Sequence, residues 1–127
     1  MRISLIILTR NEREGSAALI PSLPKGISDD IFCVDGGSTD GTPEVLRGLG
    51  IRVIDQKARG RGDAFRVARQ EMRGDAAIFF SPDGNEDVGD LPKFKGLLEA
   101  GADLVIASRM MPGSRNEEDD QFFRWRK

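Results

Sequence analysis

Apolar residues in this chain fall into short, nearly unbroken runs, separated by longer stretches in which they recur every three or four positions. The runs are Ile3 to Leu8, Ile31 to Val34, Ile51 to Ile54, Ala76 to Phe80 and Leu104 to Ala107. A strand with one wet face alternates apolar and polar side chains, and one covered on both faces does not. The runs therefore predict buried strands of a parallel sheet. Between them lies helix punctuation. Thr42 and Pro43 read as an N-cap and first helical residue, with Gly48 or Gly50 as the stop. Ala64, Phe65, Ala68 and Met72 form one apolar stripe ending at Gly74, and Leu91, Phe94, Leu97 and Leu98 form another ending at Gly101. Pro21 and Pro24 should end the first crossover, Glu14 to Leu23. Strand and helix alternate throughout, which predicts an α/β fold: an open, mainly parallel sheet with right-handed crossovers and helices on both faces. Residues 1–112 read as one domain. Residues 113–127 read as a polar and aromatic tail, ending in Phe122, Phe123 and Trp125, that begins a truncated further region.

Composition narrows the chemistry. The 127 residues include 19 basic and 21 acidic side chains, for a net charge of −2, and 39% of them are hydrophobic. That suits an ordinary wet-surfaced domain and argues against a nucleic-acid surface. No run is long enough to span a membrane and no secretory leader is present, so a cytoplasmic location is expected. The single cysteine, Cys33, sits in an apolar run and reads as a buried structural thiol. Histidine is absent, which removes Ser-His-Asp and Cys-His catalysis and His-ligated zinc. Carboxylates, amides, hydroxyls, arginines, backbone dipoles and a bound metal remain.

In an open α/β sheet, ligands bind beyond the carboxyl ends of the strands. The segments that follow the predicted strands are where this chain keeps its polar and glycine residues. Asp35 ends the second strand and precedes Gly36 and Gly37, which allow a sharp turn and close approach of a ligand. Its carboxylate suits a ribose hydroxyl or the N–H edge of a base, and it equally suits an Asx-turn ahead of a helix. Arg59, Gly60, Arg61, Gly62 and Asp63 precede a helix and offer guanidinium and backbone donors to phosphate. A nicotinamide-type glycine loop after the first strand and a Walker loop are both missing. Asp83, Asn85 and Asp87 place hard oxygen ligands on alternate residues. Mg²⁺ takes few protein ligands and lets phosphate and water complete its octahedron, so this loop suits a metal-diphosphate; a solvated acidic turn is the plainer alternative.

Together, Thr9-Arg10-Asn11-Glu12, Val34-Asp35-Gly36-Gly37-Ser38-Thr39-Asp40-Gly41-Thr42, Gly60-Arg61-Gly62-Asp63-Ala64, Gly74-Asp75 and Asp83-Gly84-Asn85 resemble the family 2 glycosyltransferases of the GT-A fold. The branch most similar is that of the polyprenyl-phosphate (dolichol-phosphate) sugar transferases. The resemblance implies a nucleotide-diphospho-sugar donor, UDP- or GDP-linked, a divalent metal (Mg²⁺ or Mn²⁺) and inversion at the anomeric carbon. It puts Thr9, Asn11, Glu12, Asp35 and Gly37 on the nucleotide, Asp63 near the base or ribose, and Arg61 near the diphosphate or base. Asp83, Asn85 and Asp87 fall to the metal, and Arg109 to the sugar or acceptor phosphate. Asp83, Asp87 and Arg109 are the expected catalytic residues. Asn85 stands where the family carries a second aspartate, which keeps a ligand and loses a charge. A polyprenyl phosphate at the inner face of the membrane is one expected acceptor, and a homodimer one expected assembly. A noncatalytic or incomplete nucleotide-sugar-binding module and a nucleotidyltransferase are the competing readings.

Overall fold

The computed structural model describes residues 1–108. Arg109 and the tail at 113–127 lie outside the described residues. Four strands form one sheet: β1 (Ile3–Thr9), β2 (Asp30–Asp35), β3 (Arg52–Asp55) and β4 (Ala76–Phe80), in the order β3-β2-β1-β4. Every pairing is parallel. Thr9 lies opposite Asp35, and Asp35 opposite Asp55, so the strand ends share one edge.

Helices cover both faces, as the unbroken apolar runs require. On one face Ile3, Leu5, Ile7, Cys33, Ile78 and Phe80 pack under Leu46 of α2 (Thr42–Gly48) and Leu91 and Leu98 of α4 (Leu91–Glu99). Ile20 joins them from a 3-10 turn, Ile20–Ser22, that follows α1 (Arg13–Leu19). Pro21 ends α1 there as expected, because it supplies no N–H to continue the ladder. On the other face Ile6, Phe32 and Val34 pack under Ala64 and Ala68 of α3 (Arg61–Glu71). Ser4 is buried on β1, and its hydroxyl accepts from Gly74 N (2.8 Å) and donates to Asp30 (3.1 Å). That pins the α3–β4 turn against the central strand.

Two expectations need correction. Leu104 to Ala107 is not a strand: Leu104 and Ile106 are 76% and 71% exposed, and only Val105 packs on the core. Among the described residues β4 therefore has one neighbour, β1. An apolar run predicts a strand only if a partner edge lies within its reach, and periodicity carries no information about that. Thr42 is also not the cap of α2. It is the first helical residue, and Asp40 does the capping through its carboxylate, which accepts from Thr42 N (3.0 Å) and from the Thr42 hydroxyl. Gly41, at φ +93°, makes the left-handed step that brings Asp40 back over the helix end.

Candidate functional site

Beyond the ends of β1 and β2, side chains of one loop satisfy the backbone of the next. The Asp35 carboxylate is 2% exposed and takes four hydrogen bonds. Oδ1 accepts from the hydroxyls of Thr9 (2.7 Å) and Ser38 (2.6 Å), and Oδ2 from the N–H groups of Gly37 (3.1 Å) and Ser38 (2.9 Å). A carboxylate offers about four lone-pair sites, so this one is filled. Asp35 here organises the Gly36–Thr39 turn, the Asx-turn half of its two readings. Asn11, at φ +54°, is the one non-glycine residue with positive φ among the described residues. Asparagine tolerates that region, and here tertiary contacts hold it. Its N–H donates to Ser38 Oγ (2.8 Å), and its Oδ1 accepts from Thr39 N (2.8 Å). The next two N–H groups follow suit: Glu12 N donates to Thr42 Oγ1 (3.0 Å) and Arg13 N to Asp40 Oδ2 (3.2 Å). The start of α1 is thus capped by the β2–α2 loop, and not by its own sequence.

A cleft of about 690 Å³ lies between the start of α1, Asp40 and the Pro82–Gly84 segment after β4. Glu12, Asp40 and Asp83 all line it. Partial burial, then the nearby charges of Asp83 and Asp40, push the Glu12 carboxyl above the usual carboxylate range. Asp40 is held below its usual range, first by the Thr42 hydroxyl and then by backbone N–H donors. Glu14 and Arg13 line it as well, so four carboxylates face one guanidinium, a balance that favours a cation or a ligand that brings one. Asp83 is exposed; its Oδ1 accepts from Asn85 N (2.9 Å), and Oδ2 has no partner among the described residues.

The predicted residues separate into two groups. Asn11, Glu12 and Asp83 share the cleft, with Thr9, Asp35 and Gly37 in the network beneath and beside it. Asn85 and Asp87 are not part of its lining, and the Asp87 carboxylate accepts from Gly89 N (2.8 Å) as the cap of a 3-10 turn, Val88–Asp90. No three acidic, Cys or His side chains among the described residues are gathered to hold a metal ion. Arg61 and Asp63 open α3 and are not among the cleft's lining residues; Asp63 Oδ1 pairs with Arg66 (2.6 Å), and its buried Oδ2 has no partner among the described residues. Sequence reasoning missed Asp40 and Gly15 as cleft residues. Asp40 looks like ordinary turn chemistry, and the only sign of Gly15 was a glycine early in a predicted helix.

An open parallel sheet with a polar cleft beyond its carboxyl edge defines a ligand-binding α/β domain of the nucleotide-binding kind. Residues 4–125 match the model of the family described as Glycosyl transferase family 2, and the chain belongs to that family. It is 30% identical over 115 residues to a dolichyl-phosphate hexose transferase of Haloferax volcanii, covering 88% of this chain and 50% of that protein. It is also 30% identical over 125 residues to a dolichol-phosphate mannosyltransferase of Pyrococcus furiosus, covering 92% of this chain and 36% of the relative. Among solved structures, glucosyl-3-phosphoglycerate synthase from Mycobacterium tuberculosis, in complex with Mn²⁺ and UDP-glucose, superposes with a TM-score of 0.70. It is 27% identical, and the match covers 79% of this chain and 40% of that one. The fold is the GT-A fold. The chain spans half or less of the length of these relatives.

Proposed function

We propose that this chain is the donor-binding part of an inverting glycosyltransferase that moves a sugar from a UDP- or GDP-linked donor to an acceptor, with a divalent cation at the diphosphate. The observation that carries this reading is the convergence of Glu12, Asp40 and Asp83 on one cleft, at the carboxyl edge of a family 2 chain.

The donor chemistry fits a metal-diphosphate better than a closed metal site. Mg²⁺ and Mn²⁺ prefer oxygen ligands, and Mg²⁺ bound to phosphates needs only one or two from the protein. Asp83 supplies an exposed carboxylate whose second oxygen is open, and Asn85 follows it on the same turn. Asp87 caps the following 3-10 turn through Oδ1 and keeps its second carboxylate oxygen for the cation. A bound cation supplies charge neutralisation to the departing diphosphate. The chain does the remaining work. The Asn11–Glu12 corner and the Gly36–Thr39 turn present backbone and side-chain groups to the nucleoside. Arg61, at the start of α3, and Arg59 beside it do not line the cleft; a donor that extends past it meets their guanidinium groups. Arg109 is assigned to the acceptor phosphate or sugar.

A phosphate acceptor is already ionised and needs no base from the protein, whereas a hydroxyl acceptor requires one. The names of the relatives favour a polyprenyl phosphate, met at the inner face of the membrane. No helix among the described residues is long and apolar enough to cross a membrane. A second reading, a nucleotide-sugar-binding module that lacks turnover by itself, is favoured by the use of one Asp87 oxygen in a cap. The family assignment leaves no support for the nucleotidyltransferase.

Calorimetric titration of UDP and GDP, each with and without Mn²⁺, tests the site. Tighter binding with the metal is expected, and Asp83→Ala should remove that increment while leaving the metal-free affinity. An unchanged increment in Asp83→Ala sinks the assignment. Sugar transfer from UDP-glucose or GDP-mannose to a polyprenyl phosphate then separates the enzyme from the binding module.

A further inference from the structure

α1 carries Gly15 at its third position, where alanine is intrinsically the better helix former by about 1 kcal/mol. Its φ lies outside the left-handed region, so backbone conformation does not demand glycine. Space does. A Cβ at this position would sit 1.7 Å from the carbonyl oxygen of Pro82, 2.9 Å from its carbonyl carbon and 3.8 Å from Asp83 N. The obstacle is backbone, so no side-chain rotation relieves it. Pro82 is buried and joins β4 to Asp83, so this contact is where α1 meets the acidic loop.

We propose that Gly15 is a positioning residue: by seating the α1 backbone directly on the Pro82 carbonyl, it sets the separation of Glu12 from Asp83 and so places Asp83 for a metal-bound diphosphate. The inference rests on the reading of Asp83 given above. Two further observations support it. Glu12 and Gly15 share the first turn of α1, in which Ser16 N donates to Glu12 O (2.8 Å). That turn is also tied to the β2–α2 loop through the N–H groups of Asn11, Glu12 and Arg13. With α1 held from that side, an added methyl must displace the Pro82–Asp83 segment.

The test titrates UDP with and without Mn²⁺ into the wild-type chain, Gly15→Ala, Asp83→Ala and Gly96→Ala. Gly96 lies in α4 with nothing within 4 Å of an added Cβ, so its variant controls for the exchange of glycine for alanine. Gly15→Ala should lose about tenfold or more of the Mn²⁺-dependent gain while its metal-free affinity stays within about twofold, a split that a general loss of folding would not produce. A crystal structure of Gly15→Ala should show the Pro82 carbonyl displaced from α1. Retention of the full gain in Gly15→Ala, while Asp83→Ala loses it, overturns the positioning role and leaves the site assignment standing. No gain in the wild type, or an unchanged gain in Asp83→Ala, sinks the site assignment and takes this inference with it. Should Gly15→Ala fail to fold, the wild-type complex with UDP and Mn²⁺ decides: Asp83 on the metal with α1 parted from Pro82 overturns the proposal.

Discussion

The Asp35 carboxylate accepts from two hydroxyls and two backbone N–H groups. The two kinds of partner respond differently to its loss. Hydroxyls rotate to new acceptors, but the N–H groups of Gly37 and Ser38 are fixed by the turn. Asp35→Ala should cost about 1–3 kcal/mol, the range for leaving hydrogen-bonding groups without their partner. Asp35→Asn should cost clearly less, because the amide oxygen can serve the N–H pair while its NH₂ faces Thr9 and Ser38 as acceptors. Urea unfolding of the three proteins checks the order. Cys33, one pair earlier on the strand, lies near Thr9 Oγ1 (3.2 Å) and is fully buried. Burial pushes its thiol from 9.0 up to about 12, with a smaller upward push from Asp35 set against the hydrogen bond to Thr9. The folded value lies above the unfolded one, so the native state is disfavoured as pH rises from about 9 towards 12. Stability of the wild type should therefore fall more steeply over that window than stability of Cys33→Ala. Equal slopes in alkaline denaturation series would contradict this. Asp35 and Cys33 stood out in the sequence because each sits in an apolar run. Asp40 did not, because its capping role depends on the backbone sign at Gly41, which no pattern of side chains encodes.

Glycine shows why elements are harder to read than residues. Gly74 closes the Ala64 to Met72 apolar stripe in the sequence, and α3 does stop just before it, but the reason lies elsewhere. A Cβ on Gly74 would lie 2.7 Å from both Arg2 O and Ser4 N, so the turn is pressed onto β1. Gly96 meets nothing at all. Gly74→Ala should destabilise by about 1–3 kcal/mol, the cost of overpacking against backbone. Gly96→Ala should stabilise by about 0.5–1 kcal/mol through helix propensity and a less flexible unfolded chain. Thermal melts of the two variants should move in opposite directions; shifts of the same sign would show that local propensity outweighs packing here. Both strand runs flanking α3 were legible because both faces of the sheet are covered. Leu104 to Ala107 has the same composition and forms no strand, since ladder pairing is a property of two segments and a single sequence window contains one. Asp87 and Asp83 make the same local bond, each accepting through Oδ1 from the N–H two residues on, which a sequence pattern of alternate acidic residues does not distinguish from ligation.

For the whole molecule, the fold was legible in outline and the site in part. Strand and helix alternation gave the parallel sheet and its active edge, and edge placement alone brought Asn11, Glu12 and Asp83 to one cleft. It did not tell that Arg61 and Asp63 would fall outside the lining of that cleft; the order β3-β2-β1-β4 puts two strands between α3's entry and the acidic loop. That same order puts β1, the earliest of the four strands, in the interior of the sheet. Its β2-side contacts, such as Ile3 N to Asp29, close over 26 positions, while Arg2 N reaches Asp75 across 73. Ile-Ser-Leu-Ile-Ile-Leu-Thr thus leaves the ribosome with one flank that stays vacant until more than half of the domain has followed. An apolar β-prone segment kept waiting so long is a hazard for a nascent chain, and the need for prompt shielding during synthesis is built into the topology itself.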